Sequence, residues 1–183
     1  MIALLAQNDA WEQKDLTNQV ITVPTASSDV YLLNLSNCVI TATHPLSALR
    51  TRNLTNCKII LGPVVGSVHV EEAVDCVFLL ASRQVRIHDT YRSEFSVCVR
   101  SGPIIEDCAD LTFSRYRLTY PGLAEQLQAN DLDLGSEEWK DVKDFKWLRA
   151  QQSPNWKLDL EERAECTVDS FEILSTSEQE KTE

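Results

Sequence analysis

The sequence predicts a mainly β protein, built as a right-handed parallel β-helix of about four to five coils. Three observations favour this fold: a segment that repeats every 19 residues, cysteines that recur at the same spacing, and short runs of alternating apolar and polar residues. Nineteen residues are too few for two packed helices, and the leucine-rich-repeat signature is missing. A coil of three short strands, stacked on the next coil at about 4.8 Å, fits the repeat length.

The repeat is clearest in three stretches that align without gaps. They are VYLLNLSNCVI from Val30, LRTRNLTNCKI from Leu49 and VHVEEAVDCVF from Val68. In each stretch a polar residue comes directly before a cysteine: Asn37 before Cys38, Asn56 before Cys57, and Asp75 before Cys76. Asn and Asp tolerate unusual backbone angles at turns, so we predict that this polar ladder is structural. The cysteines form no CxxC pair, and we expect buried free thiols and no metal site.

The segments on either side of the repeats are predicted to cover the ends of the stack. Residues 1–15, with Trp11, are expected to form an N-terminal cap, and residues 16–118 the β-helix core. Residues 119–160 are expected to cap the other end, through a short helix in PGLAEQLQAN, helically spaced apolar residues in SEEWKDVKDFKWLRA, and an extended SPNWKLDL. The acidic, Ser/Thr-rich residues 161–183 are predicted to be disordered.

The net charge of −11 is unevenly distributed. Residues 1–117 carry a charge of −2 and residues 118–183 a charge of −9, and nine of the ten bases in the first part lie between Arg50 and Arg117. This pattern argues against nucleic acid as a partner, which would favour a basic face. There is no apolar run near the roughly 18 residues of a transmembrane span, and MIALLAQNDAW lacks the features of a secretory signal. We therefore expect a cytoplasmic protein whose arginines contact another protein.

One position departs from the regular ladder. At the 19-residue offset, Arg86 takes the place of Ala48 and Ser67, while its neighbour Ile87 remains apolar. Arg86 is therefore predicted to point outward, above small residues that leave its side chain room to extend. Glu106 follows one coil later, where a carboxylate is placed to hold the guanidinium through a bidentate bond.

Two interpretations of Arg86 stay open at this point. The pair with Glu106 is either an ordinary surface ion pair, which contributes little to stability, or a support that presents the arginine to a partner. In phosphoryl transfer, an arginine supplied in trans neutralises the charge that develops on the γ-phosphate. Residue spacing alone does not choose between them.

Four stretches resemble successive blocks of the C-terminal domain of the tubulin-folding cofactor C family, also called the cofactor C-like or C-CAP family. They lie in the family's order between Leu16 and Leu160, and they are GPVVGSVHVEEAVDCVFLLASRQVRIHDT, GPIIEDCADLTFSRYRLTYP, WKDVKDFKWL and SPNWKL. A retinitis-pigmentosa-linked activator of Arf-like GTPases has a similar domain, as does, more distantly, the actin-binding cyclase-associated protein. The family fold is a β-helix, in agreement with the fold that the repeat predicts.

The resemblance implies that Arg86 is an arginine finger, with Gln84 and Glu106 as supporting residues. The family usually has a second glutamine directly before Gln84; here that position is Arg83, which adds a positive charge beside the finger. The remaining positions that the resemblance suggests as partner contacts are His88, Asp89 and Phe145.

The resemblance also implies a function: activation of GTP hydrolysis by β-tubulin during assembly of the α/β-tubulin heterodimer, together with the other tubulin-folding cofactors. The alternative is an Arf-like small GTPase as partner, served either by activation or by binding without a catalytic effect. No independent active site is expected. GTP and Mg²⁺ are expected on the partner, because this chain has no GxxxxGK[ST] sequence.

Two further expectations complete the functional hypothesis. The family's usual N-terminal helical domain has no counterpart here, which we interpret as a short form of the protein or a part of a longer one. A cytoplasmic protein with cytoskeletal or centrosomal association fits the resemblance. A polysaccharide-cleaving β-helix enzyme is disfavoured, because the outward acids show no convergent grouping.

Overall fold

The computed structural model describes residues 10–171. They form a parallel β-solenoid of about 6 turns, which confirms the predicted fold class. The strands are β1 Trp11–Thr17, β2 Val20–Thr22, β3 Asp29–Ser36, β4 Val39–Ala42, β5 Ala48–Thr55, β6 Lys58–Val74, β7 Val77–His88, β8 Glu94–Val99, β9 Ile104–Glu106, β10 Leu111–Arg115, β11 Lys143–Asp144 and β12 Trp156–Leu158. Helix α1 spans Leu123–Ala129, and 3-10 turns lie at Glu138–Lys140 and Val168–Ser170.

The coils build two parallel sheets. The first contains β1, β3 and β5, the later halves of β6 and β7, and then β9 and β11. The second contains β2 and β4, the earlier halves of β6 and β7, and then β8, β10 and β12. Strands β6 and β7 are long because each turns the corner from one sheet to the other.

The first coil begins earlier than predicted. Trp11 pairs with Val30 and Leu16 with Leu35, so β1 continues the 19-residue register and is itself a coil. The predicted boundary between cap and core, at residue 16, therefore falls inside this strand. This extra coil, together with the rung that β12 adds at the other end, raises the coil number above the predicted four to five.

The core lies between the two sheets and consists of apolar ladders. Phe78, Phe95 and Phe113 stack on consecutive rungs, with ring centroids 4.7 and 5.4 Å apart. A second apolar cluster lies on the outside of the second sheet, where Leu123 and Leu127 of α1 cover it. The predicted helix in PGLAEQLQAN thus has a clear role: it shields a sheet face that would otherwise expose apolar side chains.

The predicted polar ladder occupies the corners of the coils. Asn37, Asn56 and Asp75 all have positive φ, between 51° and 54°. Asn56 Nδ2 donates to Asn37 Oδ1 at 3.2 Å, so neighbouring side chains of the ladder also act as hydrogen-bond partners for each other. The six cysteines are free and buried, as the sequence predicts.

A second corner ladder, which the sequence prediction missed, lies three residues earlier. It consists of Asp15, Asn34, Asn53 and Glu72, again 19 residues apart and again with positive φ. Asn34 donates to Asp15 at 2.9 Å, and Asn53 donates to Asn34 at the same distance. These two amide rungs hold the first three coils at a common register.

The register changes at the fourth coil. Lys58 pairs with Val77 at an offset of 19, Pro63 pairs with Ala81 at 18, and Ser67 pairs with Gln84 at 17. The fourth coil is therefore shortened by two residues at the corner between the halves of β7, where Val77 to Gln84 covers the same path as Lys58 to Ser67 of β6. Every position after this corner pairs differently from the 19-residue alignment.

The C-terminal segment follows the prediction only in part. SPNWKLDL forms β12 on β10, as expected. The helical spacing in SEEWKDVKDFKWLRA gives the wrong structure, because the chain makes one 3-10 turn and then β11, which pairs with β9. Trp139 and Val142 are nevertheless buried against the core. Pairing with an open strand edge has prevailed over helical periodicity here.

The predicted disorder of residues 161–183 is wrong for residues 161–171. Cys166 is buried and forms a β-bridge with Leu118, and Thr167 and Ser170 make a reciprocal capping box. The rest of that prediction, residues 172–183, lies outside the described residues, as do residues 1–9 of the predicted N-terminal cap. Among the described residues, no helix is long and apolar enough to cross a membrane.

Candidate functional site

The outward surface of the first sheet carries most of the predicted site, and we call it the arginine face. Each strand of this sheet is one rung of the stack, and neighbouring rungs lie about 4.8 Å apart. The outward side chains form two columns that run across the rungs. Column A is Glu12, Tyr31, Arg50, His69, Arg86, Ile104 and Lys143. Column B is Lys14, Leu33, Arg52, Glu71, His88 and Glu106, continued by Phe145, whose backbone N–H bonds to the Ile105 carbonyl.

Arg86 points outward, as the sequence predicts. Its neighbours Val85 and Ile87 are both 0% exposed, so the strand backbone on either side of it is anchored in the core. The predicted surroundings are wrong, however. Arg86 pairs across the rung with His69, and Gln84 takes the position beside Ser67. The two-residue shortening of the fourth coil causes this shift.

The structure brings Gln84 to Arg86. Arg86 Nε donates to Gln84 Oε1 at 3.4 Å, which restrains the guanidinium from one side. The small residue Ser67 beside Gln84 leaves the amide room to take this position. Among the described residues, this is the one hydrogen bond made by the Arg86 guanidinium, and its terminal NH₂ groups remain free.

Glu106 does not contact Arg86. The rung partner of Arg86 is Ile104, whereas Glu106 pairs with His88, at 4.0 Å between Glu106 Oε2 and His88 Nδ1. The predicted bidentate bond between Arg86 and Glu106 is therefore wrong, because the shortened coil puts Glu106 in column B. The first interpretation of Arg86, an ordinary surface ion pair with Glu106, is therefore excluded, because the two side chains form no ion pair in the described structure.

The remaining predicted contacts surround Arg86 at different distances. Phe145 is 50% exposed and lies on the same face, two rungs further along. Asp89 is exposed at the corner after β7, with φ 47°. Arg83 is exposed at the opposite corner, where its backbone carbonyl accepts from Arg100 N at 3.3 Å. His88 and Phe145 therefore share the arginine face with the finger, and Arg83 and Asp89 border it.

An open groove of about 450 Å³ extends the arginine face away from Arg86. Sequence reasoning missed it. Its lining residues are Glu12, Tyr31, Leu33, Arg50, Thr51, Arg52, His69 and Glu71. The alternation in LRTRN marks Arg50 as outward, but only the observed register places Arg50, His69 and Arg86 in one column.

Two arginines of this face, Arg50 and Arg86, act on the imidazole of His69. Burial lowers the pKa of His69, and the positive charges of Arg50 and Arg86 lower it further. The imidazole is therefore neutral at pH 7 and retains both a hydrogen-bond donor and an acceptor. The described residues contain no group of three or more His, Cys, Asp or Glu side chains that is arranged to hold a metal ion.

Comparisons with known proteins agree on one family. Residues 27–145 match the family model described as tubulin binding cofactor C. The chain is 48% identical over 100 residues to the tubulin-folding cofactor C of Arabidopsis thaliana, and 40% identical over 101 residues to the tubulin-specific chaperone C of Homo sapiens. Each alignment covers 55% of this chain and 29% of the relative, so the chain matches less than a third of either protein.

A solved structure shows the same fold. The tubulin binding cofactor C from Leishmania major superimposes with a TM-score of 0.55 at 24% sequence identity. The superposition covers 63% of this chain and 79% of that one.

Proposed function

The chain belongs to the tubulin binding cofactor C family, and from that premise we propose that it acts in tubulin folding as an activator of GTP hydrolysis. Arg86 enters the nucleotide site of β-tubulin during assembly of the α/β heterodimer, alongside the other tubulin-folding cofactors. There its guanidinium neutralises the charge that develops on the γ-phosphate. GTP and Mg²⁺ are held by tubulin, and this chain contributes the arginine alone.

One observation carries the proposal: the Arg86 guanidinium is exposed, restrained and free of any acidic partner among the described residues. Its backbone is held by the buried Val85 and Ile87, and its Nε by Gln84. The free terminal NH₂ groups match the geometry of phosphate oxygens. An arginine in a tight ion pair with a carboxylate would have to break that pair before it reached a phosphate.

The rest of the arginine face supports the docking of the partner. Phe145 offers an exposed apolar surface two rungs from Arg86, and the pair of His88 and Glu106 lies between them in column B. Arg83 and Asp89 form charged borders at the two corners. The activity places the protein in the cytoplasm, in association with the tubulin cytoskeleton.

Single-turnover GTP hydrolysis tests the proposal directly. Tubulin with the other folding cofactors is mixed with the wild type or with Arg86→Ala, and an Arf-like GTPase is assayed in parallel. We expect Arg86→Ala to reduce the stimulation by about 10³-fold or more, because arginine fingers contribute about 10³–10⁵ in rate. Arg86→Lys keeps the charge but loses the planar fork, so it should restore only a small part of the activity.

Arg92→Ala is the matched control. Arg92 is exposed and paired with Asp75 at 2.8 Å, in the turn after β7 and outside both columns of the arginine face. This variant removes the same charge and should stimulate hydrolysis like the wild type. Equal rates for Arg86→Ala and wild type on both GTPases would overturn the activator function and leave a binding module. A loss on the Arf-like GTPase alone would exclude tubulin as the substrate.

A further inference from the structure

We propose that the groove around Arg50 is a second contact site on the arginine face, which binds an acidic segment of the same partner protein that Arg86 engages. The inference rests on the proposed function, since it takes the partner from there. It adds a role for Arg50, with Tyr31 and His69, that is separate from the chemistry at Arg86: Arg50 docks the partner and does not touch the nucleotide.

Arg50 differs from the other charged residues of the groove because its charge is not neutralised. Arg52, two residues along the same strand, lies 3.0 Å from Glu72 and 3.9 Å from Glu71. Glu12 is paired with Lys14 at 3.8 Å. Both acids in the groove lining therefore already have basic partners, whereas Arg50 forms no ion pair with any described residue. The charged side chain of the groove lining that lacks an ion-pair partner among the described residues is therefore Arg50.

The column around Arg50 reinforces that charge. Arg50, His69 and Arg86 occupy three consecutive rungs with no acid between them. The two guanidinium groups therefore start from backbones about 10 Å apart, at two rung spacings. The whole chain carries −11, so this column is a local exception to the sign of the net charge and a place where an acidic segment is attracted.

The shape of the groove suits an extended peptide. Tyr31 and Leu33 provide apolar surface beside Arg50, and the groove is open along its length. His69 is only partly exposed, and its neutral ring can bond to a backbone amide or carbonyl. A segment that places a carboxylate at Arg50 and its main chain over His69 extends toward Arg86. The docked partner is then aligned with the finger.

The experiment separates affinity from rate. Binding of tubulin to the wild type and to Arg50→Ala is measured by fluorescence anisotropy, and single-turnover hydrolysis is measured at saturating protein. We expect Arg50→Ala to weaken binding by about 10-fold at low salt, because one charge-assisted hydrogen bond is lost. The hydrolysis rate at saturation should remain that of the wild type. Arg50→Lys should bind with intermediate affinity.

Three controls make the outcome decisive. Arg92→Ala should change the affinity less than twofold. Arg50→Ala should weaken binding equally in the Arg86→Ala background, where no stimulation remains. A polyglutamate peptide should compete with tubulin for the wild type but not for Arg50→Ala, and added salt should reduce the difference between the two.

Each contrary result has a distinct meaning. Affinity of Arg50→Ala equal to that of Arg92→Ala, or failure of polyglutamate to compete, overturns the acidic-segment site and leaves the proposed function intact. A reduced saturating rate with unchanged affinity also overturns it, because Arg50 then acts on the chemistry. Full stimulation by Arg86→Ala together with weak binding by Arg50→Ala overturns the proposed function and retains the docking site.

Discussion

Replacing Gly66 with alanine should destabilise the protein and disturb the register that places Arg86 beside His69. Gly66 lies in the corner of β6 that faces the shortened corner of β7, and its backbone N–H bonds to the Ser47 carbonyl at 2.9 Å. A Cβ on Gly66 would lie only 2.4 Å from that same oxygen. The obstacle is backbone rather than a flexible side chain, so β5 and β6 must separate at this corner.

The size of the effect follows from these contacts. Ordinary van der Waals separation requires a shift of about 1 Å, and overpacking of this kind costs about 1–3 kcal/mol. The shift also weakens the hydrogen bond from Gly66, which contributes about 1 kcal/mol to stability. In the opposite direction, alanine lowers the entropy of the unfolded chain, which stabilises the folded state by about 0.4–1 kcal/mol. We expect a net loss of about 2 kcal/mol, or about 4–8 °C in Tm for a chain of this size.

Thermal and urea unfolding measure this loss, with Gly135→Ala as the matched control. A Cβ on Gly135 meets only the exposed side-chain carboxylate of Asp133, at 3.2 Å, so this substitution should be neutral or slightly stabilising. GTP hydrolysis by the Gly66→Ala variant should also decrease, because the strand that carries Arg86 shifts. If Gly66→Ala and Gly135→Ala have the same stability, the close approach to Ser47 does not set the register.

Two further predictions concern buried and titrating groups. Thr51→Val should raise the free energy of unfolding by about 1 kcal/mol, because the Thr51 hydroxyl is buried without a hydrogen-bond partner among the described residues; a loss of stability in urea unfolding would contradict this. Arg50→Ala or Arg86→Ala should raise the pKa of His69 towards its ordinary value, as measured by NMR titration of its imidazole, and Arg92→Ala should leave it unchanged. Because the pKa of His69 is lower in the folded than in the unfolded chain, the unfolded chain binds the proton first as pH falls below about 6.5, and acidification destabilises the wild type more than either variant.

The sequence predicts most of this fold because stacking coils repeat the same physical requirement. Each coil needs inward apolar residues and a corner residue that accepts positive φ, so the same residue types recur at one spacing. The ladder through Asn37 and Asn56 is readable for that reason. The second ladder is harder to recognise in the sequence, because Glu72 breaks its pattern of Asn and Asp residues. The shortened coil could not be predicted, because a corner bulge leaves no signature in apolar periodicity.

The candidate site is predictable only as far as it depends on the alternation of inward and outward side chains along a strand. Arg86 lies between the buried Val85 and Ile87, and its outward direction follows from that alternation alone. Its neighbours depend on the offset between coils, and an error of two residues exchanges Ser67 for His69. The same error accounts for the mistaken contact with Glu106. Local pattern therefore gives the orientation of a side chain, while its partners require the register.

The two columns of the arginine face differ in how their charged side chains are arranged. In column B the charges alternate: Arg52 lies next to Glu71, and His88 next to Glu106, so neighbouring rungs attract each other. In column A, Arg50 and Arg86 lie on either side of the neutral His69, and neither arginine forms an ion pair with a described residue. Because the arginines of column A have no ion-pair partner among the described residues, their positive charge is available to a ligand. Both the finger at Arg86 and the docking site at Arg50 require this property.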